Sequence, residues 1–241
     1  GALPAGAGLR PQAVTTPTER YRALIAERPI LARNLPGGID VVTDPAETAR
    51  IERAMAEGFA AKGLPTEWAR AGVFYEDPYL MVLRDAVIFP DGKPGLYHRA
   101  IARHDEPTGV AILGRYRGDV ILLRHFRHPT RDWHLEIPRG AVGVGENPAQ
   151  MAQVEISEEI GGTITSMTQM GVVHGASAFM RHRVVLVYAE FSAIGTPALG
   201  EGIAEIVAVA PAELDRLIRD SAVTDSFTIA AAYHAKLRGL L

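Results

Sequence analysis

The stretch GAVGVGENPAQMAQVEISEEIG, residues Gly140 to Gly161, decides how the rest of the chain is read. Asn147-Pro148 opens a helix: Asn caps free backbone N–H groups, and Pro suits the first helical position because it has no N–H to satisfy. Gly161-Gly162 closes it. The helix is predicted from Pro148 to Ile160, with Met151, Val154, Ile156 and Ile160 as its apolar residues. Glu155, Glu158 and Glu159 stand at i, i+3 and i+4 and so share one face. Like charges at that spacing repel by roughly 0.2–0.5 kcal/mol per pair, and the last turn disfavours anions. No Lys or Arg lies between Gly140 and Met180. A solvated face would mix both signs, whereas a hard divalent cation offsets the repulsion, and carboxylate oxygens are the ligands Mg²⁺ takes.

The same residues carry a family resemblance. The stretch resembles the Nudix box, G-x5-E-x7-R-E-U-x-E-E-x-G-U with U aliphatic, the signature of Mg²⁺-dependent pyrophosphohydrolases. Gly140, Glu146, Glu155, Ile156, Glu158, Glu159 and Gly161 fall on its positions. Val154 stands where the family has Arg, and Gly162 where it has an aliphatic residue. In the family that Arg orients the neighbouring metal-binding carboxylate, so its loss bears on Glu155. Residues 79–241 further resemble the ADP-ribose pyrophosphatase branch. Leu122 to Arg127 sits where that branch has a strand ending Gln-Tyr-Arg. Trp133-His134-Leu135-Glu136-Ile137-Pro138-Arg139-Gly140 sits where it has Trp-x-x-Glu-Leu-Pro-Ala-Gly. Leu217 to Asp220 and Thr224 to Thr228 look like its closing helices.

The resemblance implies site residues. Glu155, Glu158 and Glu159, with the backbone carbonyl of Arg139, are the expected ligands of Mg²⁺, Mn²⁺ being the alternative ion. Glu158 and Glu201 are the catalytic candidates. Glu201 is the only acid between Phe191 and Ala204, on a Gly-containing loop able to close over a substrate. Arg99 and Arg127 are phosphate candidates, since Arg forks onto phosphate oxygens; for both, a surface salt bridge is the competing reading. Glu136 is expected to hold a ribose hydroxyl or a neighbouring Arg. Trp133 is expected to stack on a base or to sit in the core. Arg139, where many relatives have Ala, is expected near the substrate, and with Arg181 or Arg183 is the candidate to reach Glu155 in place of the missing box Arg. The pairs Arg181/Arg183 and His174/His182 are further groups able to face phosphate. His125, His128 and His134 cluster, but their spacing is not that of a zinc loop and no Cys assists.

Outward from the box, composition bounds the rest. The 241 residues allow one domain with an extension or two small domains, and 47% apolar residues are enough for a core. A net charge of −3 argues against a general nucleic-acid binder. The absence of cysteine excludes disulfides and thiolate chemistry. No apolar run is long enough for a membrane span and no secretory signal is legible, so a cytoplasmic protein is expected.

Residues 1–17 read as a flexible Gly/Ala/Pro leader. Residues 18–75 read as a helical extension, with helices over 19–27 and 45–62 broken by Pro36-Gly37-Gly38; Ala49, Met55 and Phe59 form a weak apolar stripe in the second. Residues 76–241 read as the main domain, opening with a β-hairpin over 79–104. Strands are predicted at 109–116, 120–126, 133–137, 170–174, 183–191 and 205–210. Helices are predicted at 211–220 and after the cap Asp225, where Ile229, Tyr233 and Leu237 share a face. Irregular alternation of strands and helices implies an α+β fold, an α/β/α sandwich with a mixed sheet. The implied activity is cleavage of the diphosphate of ADP-ribose or a related nucleoside diphosphate sugar by a homodimer. The alternative, motivated by Val154, is a catalytically weakened nucleotide-binding sensor.

Overall fold

The computed structural model describes residues 16–103, 108–143 and 145–241; most of the expected leader lies outside them. The chain packs as two compact units that divide after Arg103.

In the first unit, helix α1 (Pro17–Glu27) starts at a reciprocal cap: the Thr16 hydroxyl accepts from the Glu19 N–H, and the Glu19 carboxylate accepts from the Thr16 N–H. Strand β1 (Asp40–Val41) leads to α2 (Pro45–Ala60), capped by Asp44. Strands β2 (Gly72–Glu76), β3 (Leu80–Ile88) and β4 (Pro94–Ala102) follow. β3 pairs β4 along its length, and its other edge takes β2 and then β1, all antiparallel. Tyr21, Leu24, Leu31, Val73, Met81, Leu83 and Ile101 form the core under α1, and Ile51 seats α2 against Ala71 and Ala86. Segment 18–75 is thus not purely helical. It supplies β1 and β2, and the division expected at residue 76 falls at the end of β2. The hairpin strands β3 and β4 are the body of this unit's sheet.

The second unit holds β5 (Thr108–Tyr116), β6 (Asp119–Arg127), β7 (Asp132–Glu136), β8 (Arg139–Val142), α3 (Pro148–Ile160), β9 (Thr163–His174), β10 (Arg183–Ala193), β11 (Ile203–Val209), α4 (Pro211–Arg219) and α5 (Ser226–Leu237). The strand order is β11-β6-β5-β10-β9. β5 runs parallel to β10, and the other pairings are antiparallel. β5 and β6 are paired only at their hairpin end, from Gly114↔Ile121 to Tyr116↔Asp119. Below it they part; β7 pairs β6 and β8 pairs β5. The chain from Glu136 to Arg139 therefore crosses the split, and Pro138 holds its place by accepting from the Ile112 N–H at 2.9 Å.

Alternation along β5, β6 and β10 builds two cores. Ala111, Leu113, Val120, Leu122 and Leu186 face α4 and α5; Val110, Ile112, Ile121, Leu123 and Val187 face α3 through Ala152, Ile156 and Ile160. The second unit is the α/β/α sandwich with a mixed sheet. The acidic helix has the predicted limits, 148–160, with Asn147 capping and Gly161 left-handed at φ +59°. Gly162 departs from the box pattern because a Cβ there would lie 2.8 Å from Ile156 Cγ2 and 3.3 Å from the Ala193 carbonyl.

One expectation is corrected. β9 begins at Thr163, not Met170, because its first half is mostly Thr and Ser, with Ile164 and Met167 three residues apart across a shift in pairing, and so shows no apolar alternation. In α5 the residues Ile229, Tyr233 and Leu237 share a face that is exposed, while Phe227, Thr228, Ala231, Ala232 and Ala235 are buried. The alanines let the helix backbone approach the sheet.

Candidate active site

Gly140 and Glu155 fix the floor of the site. A Cβ on Gly140 would lie 1.8 Å from the Glu155 carboxyl carbon, so the carboxylate rests directly on the backbone of β8. Any larger residue at 140 would expel it. Glu146 closes the loop before the helix, accepting from the Gly143 N–H at 2.7 Å. On α3, Glu159 is buried, Glu155 half-buried and Glu158 exposed. Burial first, then the charges of Glu155 and Glu201, push the Glu159 carboxyl up to about 8; the Arg127 charge and a backbone hydrogen bond at Arg139 pull the other way and lose. Glu155 is raised by burial and by the like charges of Glu158 and Glu201.

The loop bearing Glu201 is tied to the end of α3. The Gly195 N–H donates to the Ile160 carbonyl at 2.7 Å, and the Ala198 N–H to the Glu159 carbonyl at 2.9 Å. Its far end is tied to β6, where the Phe126 N–H donates to the Gly202 carbonyl at 2.9 Å. Gly202 sits at φ +83°, turning the chain from Glu201 back into β11. Glu201 thus shares one field with Glu155 and Glu159.

Behind this lies a second carboxylate, Glu136, buried to 1%. It is paired with the Arg127 guanidinium, lies 3.2 Å from Arg139 Nη2, and is 3.3 Å from His125 Nδ1. Burial alone would raise its pKa. The hydrogen bond from Arg127 and the close approach of His125, with the Arg139 and Arg127 charges, outweigh it and hold the carboxyl down at about 2. The α5 N-terminus locks the same turn: the Ile137 N–H donates to Thr228 Oγ1 at 3.0 Å, and Thr228 donates to Asp225 at 2.8 Å. Arg139 lies over the Phe227 ring and 3.7 Å from Asp225.

The remaining candidates divide. Arg127 stands between the two carboxylate groups, paired with Glu136 and acting on Glu159. Arg139 turns toward Glu136 and Asp225; it is not seen to reach Glu155, because its strand directs the side chain to the α5 face. Glu136 holds arginines, the second of its two readings. Trp133 is exposed, edge-on to Phe126 and under the Arg124 guanidinium at 4.8 Å. Arg99 belongs to the first unit, where it pairs with buried Asp85 at 2.8 Å beside the Tyr21 hydroxyl. Val154 is exposed and carries no donor. Sequence reading missed His125, Asp225 and Thr228 as partners of this turn; the Glu three residues before an Arg in LEIPR was the one available signal.

The donor set fits a hard divalent cation. Glu159 Oε2 is buried with no hydrogen-bond partner, Glu155 and Glu201 crowd it with like charge, and every available donor is oxygen. Among the described residues, no three acidic or histidine side chains are already gathered into an ion cage.

Against known proteins, the NUDIX domain model matches residues 105–229. The chain belongs to the NUDIX family. It is 32% identical over 105 residues to an ADP-ribose pyrophosphatase of Bacillus subtilis (strain 168), covering 43% of this chain and 55% of that protein. The chain thus aligns with only about half the length of that curated relative. Among solved structures it resembles "Crystal structure of ADP compounds hydrolase", with TM-score 0.62, 18% identity, and coverage of 71% of this chain and 95% of that one. That likeness concerns the fold.

Proposed function

We propose that this chain is a NUDIX hydrolase that cleaves the diphosphate of a nucleoside diphosphate-linked small molecule, with ADP-ribose as first candidate. The observation that carries the reading is Glu159: a buried carboxylate whose Oε2 has no hydrogen-bond partner, crowded by Glu155 of its own helix and by Glu201 of the following loop. Such crowding is unfavourable unless a cation arrives. Glu155, Glu158 and Glu159, with the Arg139 carbonyl, would hold Mg²⁺ or Mn²⁺. The bound ion supplies neutralisation of phosphate charge and a more acidic water. Glu201 accepts the proton of the attacking water on its carboxylate, the water oxygen bonds to phosphorus, and the bridging P–O bond breaks to release two monophosphates. Arg127, already oriented by Glu136, pairs with phosphate oxygens. Trp133 offers its exposed face to a base. The working form is proposed to be a homodimer.

The test is to incubate purified protein with ADP-ribose and a panel of nucleotide sugars, with and without Mg²⁺ or Mn²⁺, and to follow release of monophosphates. Cation-dependent release is expected. Folded protein that turns over none of them would end this reading. The second reading, a nucleotide sensor, rests on Val154, which leaves Glu155 without its usual donor; calorimetric nucleotide binding without product formation would favour it.

A further inference from the structure

β6 buries one polar side chain, His125, at 6% exposure. Alternation puts it on the same side of the sheet as Ile121 and Leu123, the side that carries α3 and Glu159. Its cross-strand neighbours are His134 of β7 and Ile203 of β11. Packing alone does not call for an imidazole here. A Leu would fill the space without bringing ring nitrogens out of water.

Two edges of the ring meet the two halves of the site. On one edge, Nδ1 lies 3.3 Å from Glu136 Oε1, out of line for a hydrogen bond and buried with no other partner. Glu136 is itself held by Arg127 and Arg139, so the ring has a fixed group behind it. The other edge faces Gly202, where an added Cβ would touch Cδ2 at 3.8 Å and Nε2 at 3.9 Å.

Gly202 is where the loop bearing Glu201 lands on β6. The strand ladder alone fixes that landing poorly, because pairing of β11 with β6 shifts between Ile203 and Glu205. Before Gly202 the backbone bonds of the turn are its own: the Glu201 N–H donates to the Ala198 carbonyl at 3.0 Å, and the Gly202 N–H to the Leu199 carbonyl at 3.1 Å. The His125 ring is the side chain that backs this landing from the site's interior.

We infer that His125 is a positioning residue. Set between Glu136 and Gly202, it fixes the angle at which the loop bearing Glu201 leaves β11, and so ties that loop to the Arg127–Glu136 ion pair. Its effect on turnover rests on the hydrolysis proposed above; its hold on the loop does not.

The test compares His125→Leu, which fills the space without a polar contact, with His125→Gln, which keeps a side-chain N–H for Glu136. Amide hydrogen exchange, followed by mass spectrometry, reads local opening directly. His125→Leu should speed exchange several-fold in the peptide spanning 198–203 and leave α3, β5 and β10 as in the parent chain; His125→Gln should restore the slow exchange. In turnover, His125→Leu should lower kcat by about 10–100-fold, the scale for a group acting through another, with Mg²⁺ dependence kept. Added to Glu201→Gln, it should lower kcat no further, because the two act as a unit. Unchanged exchange over 198–203 in His125→Leu would overturn the inference, as would faster exchange throughout the second unit or full additivity with Glu201→Gln. A parent chain that turns over no substrate would end the hydrolysis reading alone, since the exchange comparison still decides whether His125 holds the loop.

Discussion

Glu136 and Glu159 are both buried carboxylates of the same unit, to 1% and 2% exposure, yet their environments drive them in opposite directions. Glu136 faces Arg127, Arg139 and His125 and is held at about 2. Glu159 faces Glu155 and Glu201 and is pushed up to about 8. Burial costs both the same kind of energy. What differs is whether the compensating positive charge belongs to the chain. At Glu136 it does, and the result is a rigid turn between β7 and β8. At Glu159 the Arg127 charge is outweighed by burial and by Glu155 and Glu201, and the result is a site whose charge balance must come from outside. The backbone at Arg139 and Gly140 links the two, carrying a guanidinium toward one carboxylate and resting under Glu155 beside the other.

The largest effect should come from breaking the satisfied side. Glu136→Ala leaves two guanidiniums without their shared partner, and removing one member of a buried charge group costs about 3–5 kcal/mol. Chemical denaturation should show that loss with or without a divalent cation. Glu159→Gln should behave in the opposite way. It removes a carboxyl that the folded, metal-free chain must hold protonated against its usual pKa, so metal-free stability should hold or rise, while cation-dependent turnover should fall more than about 100-fold, past the range for outer-shell partners. A Glu159→Gln protein as unstable as Glu136→Ala would erase the distinction.

The two carboxylates also predict opposite pH limbs. Glu136 has a folded pKa below its ordinary 4.5, so its stabilisation is present above 4.5 and is lost as pH falls toward about 2. Glu159 has a folded pKa above 4.5, so the folded protein keeps a proton that the unfolded chain releases. Its contribution therefore worsens as pH rises from 4.5 to about 8. In chelator, melting temperature should peak in the mildly acidic range and decline toward pH 8. Added Mg²⁺ should raise it more at pH 8 than at pH 5. An equal Mg²⁺ increment at both values would mean that the cation does not act through Glu159.

Much of this was legible in the sequence, for reasons that can be named. The helix from Pro148 to Ile160 has both its start and its stop written as local chemistry, Asn-Pro and Gly, and its three carboxylates at helical spacing need no tertiary information. The apolar runs of β5, β6 and β10 gave the central sheet. The first half of β9 is not legible because its apolar residues, Ile164 and Met167, are three apart among Thr and Ser and show no period of two. The buried face of α5 is not legible because alanines carry almost no hydrophobic signal yet permit the closest packing. At the site, the acidic face was visible but the partners of Glu136 were not. His125 and Asp225 are 100 residues apart in the chain, and only the fold brings them to one turn.

The smallest expected effect concerns Val154 and tests whether the two carboxylate groups are independent. Val154 is exposed and precedes Glu155, so Arg at 154 would place a donor beside a carboxylate now pressed by like charges. Val154→Arg should tighten Mg²⁺ dependence by up to about 10-fold, the lower end of the outer-shell range. Arg139→Ala acts elsewhere. It removes a partner of Glu136 and Asp225, so it should lower stability while leaving the gain from Val154→Arg in place. Mutations without a shared partner add to within about 0.3–0.5 kcal/mol. The double variant should therefore show the stability of Arg139→Ala and the Mg²⁺ response of Val154→Arg. Strong coupling between them, or loss of the Mg²⁺ gain when Arg139 is removed, would show that Arg139 supports Glu155 after all and that the two charge groups form a single network.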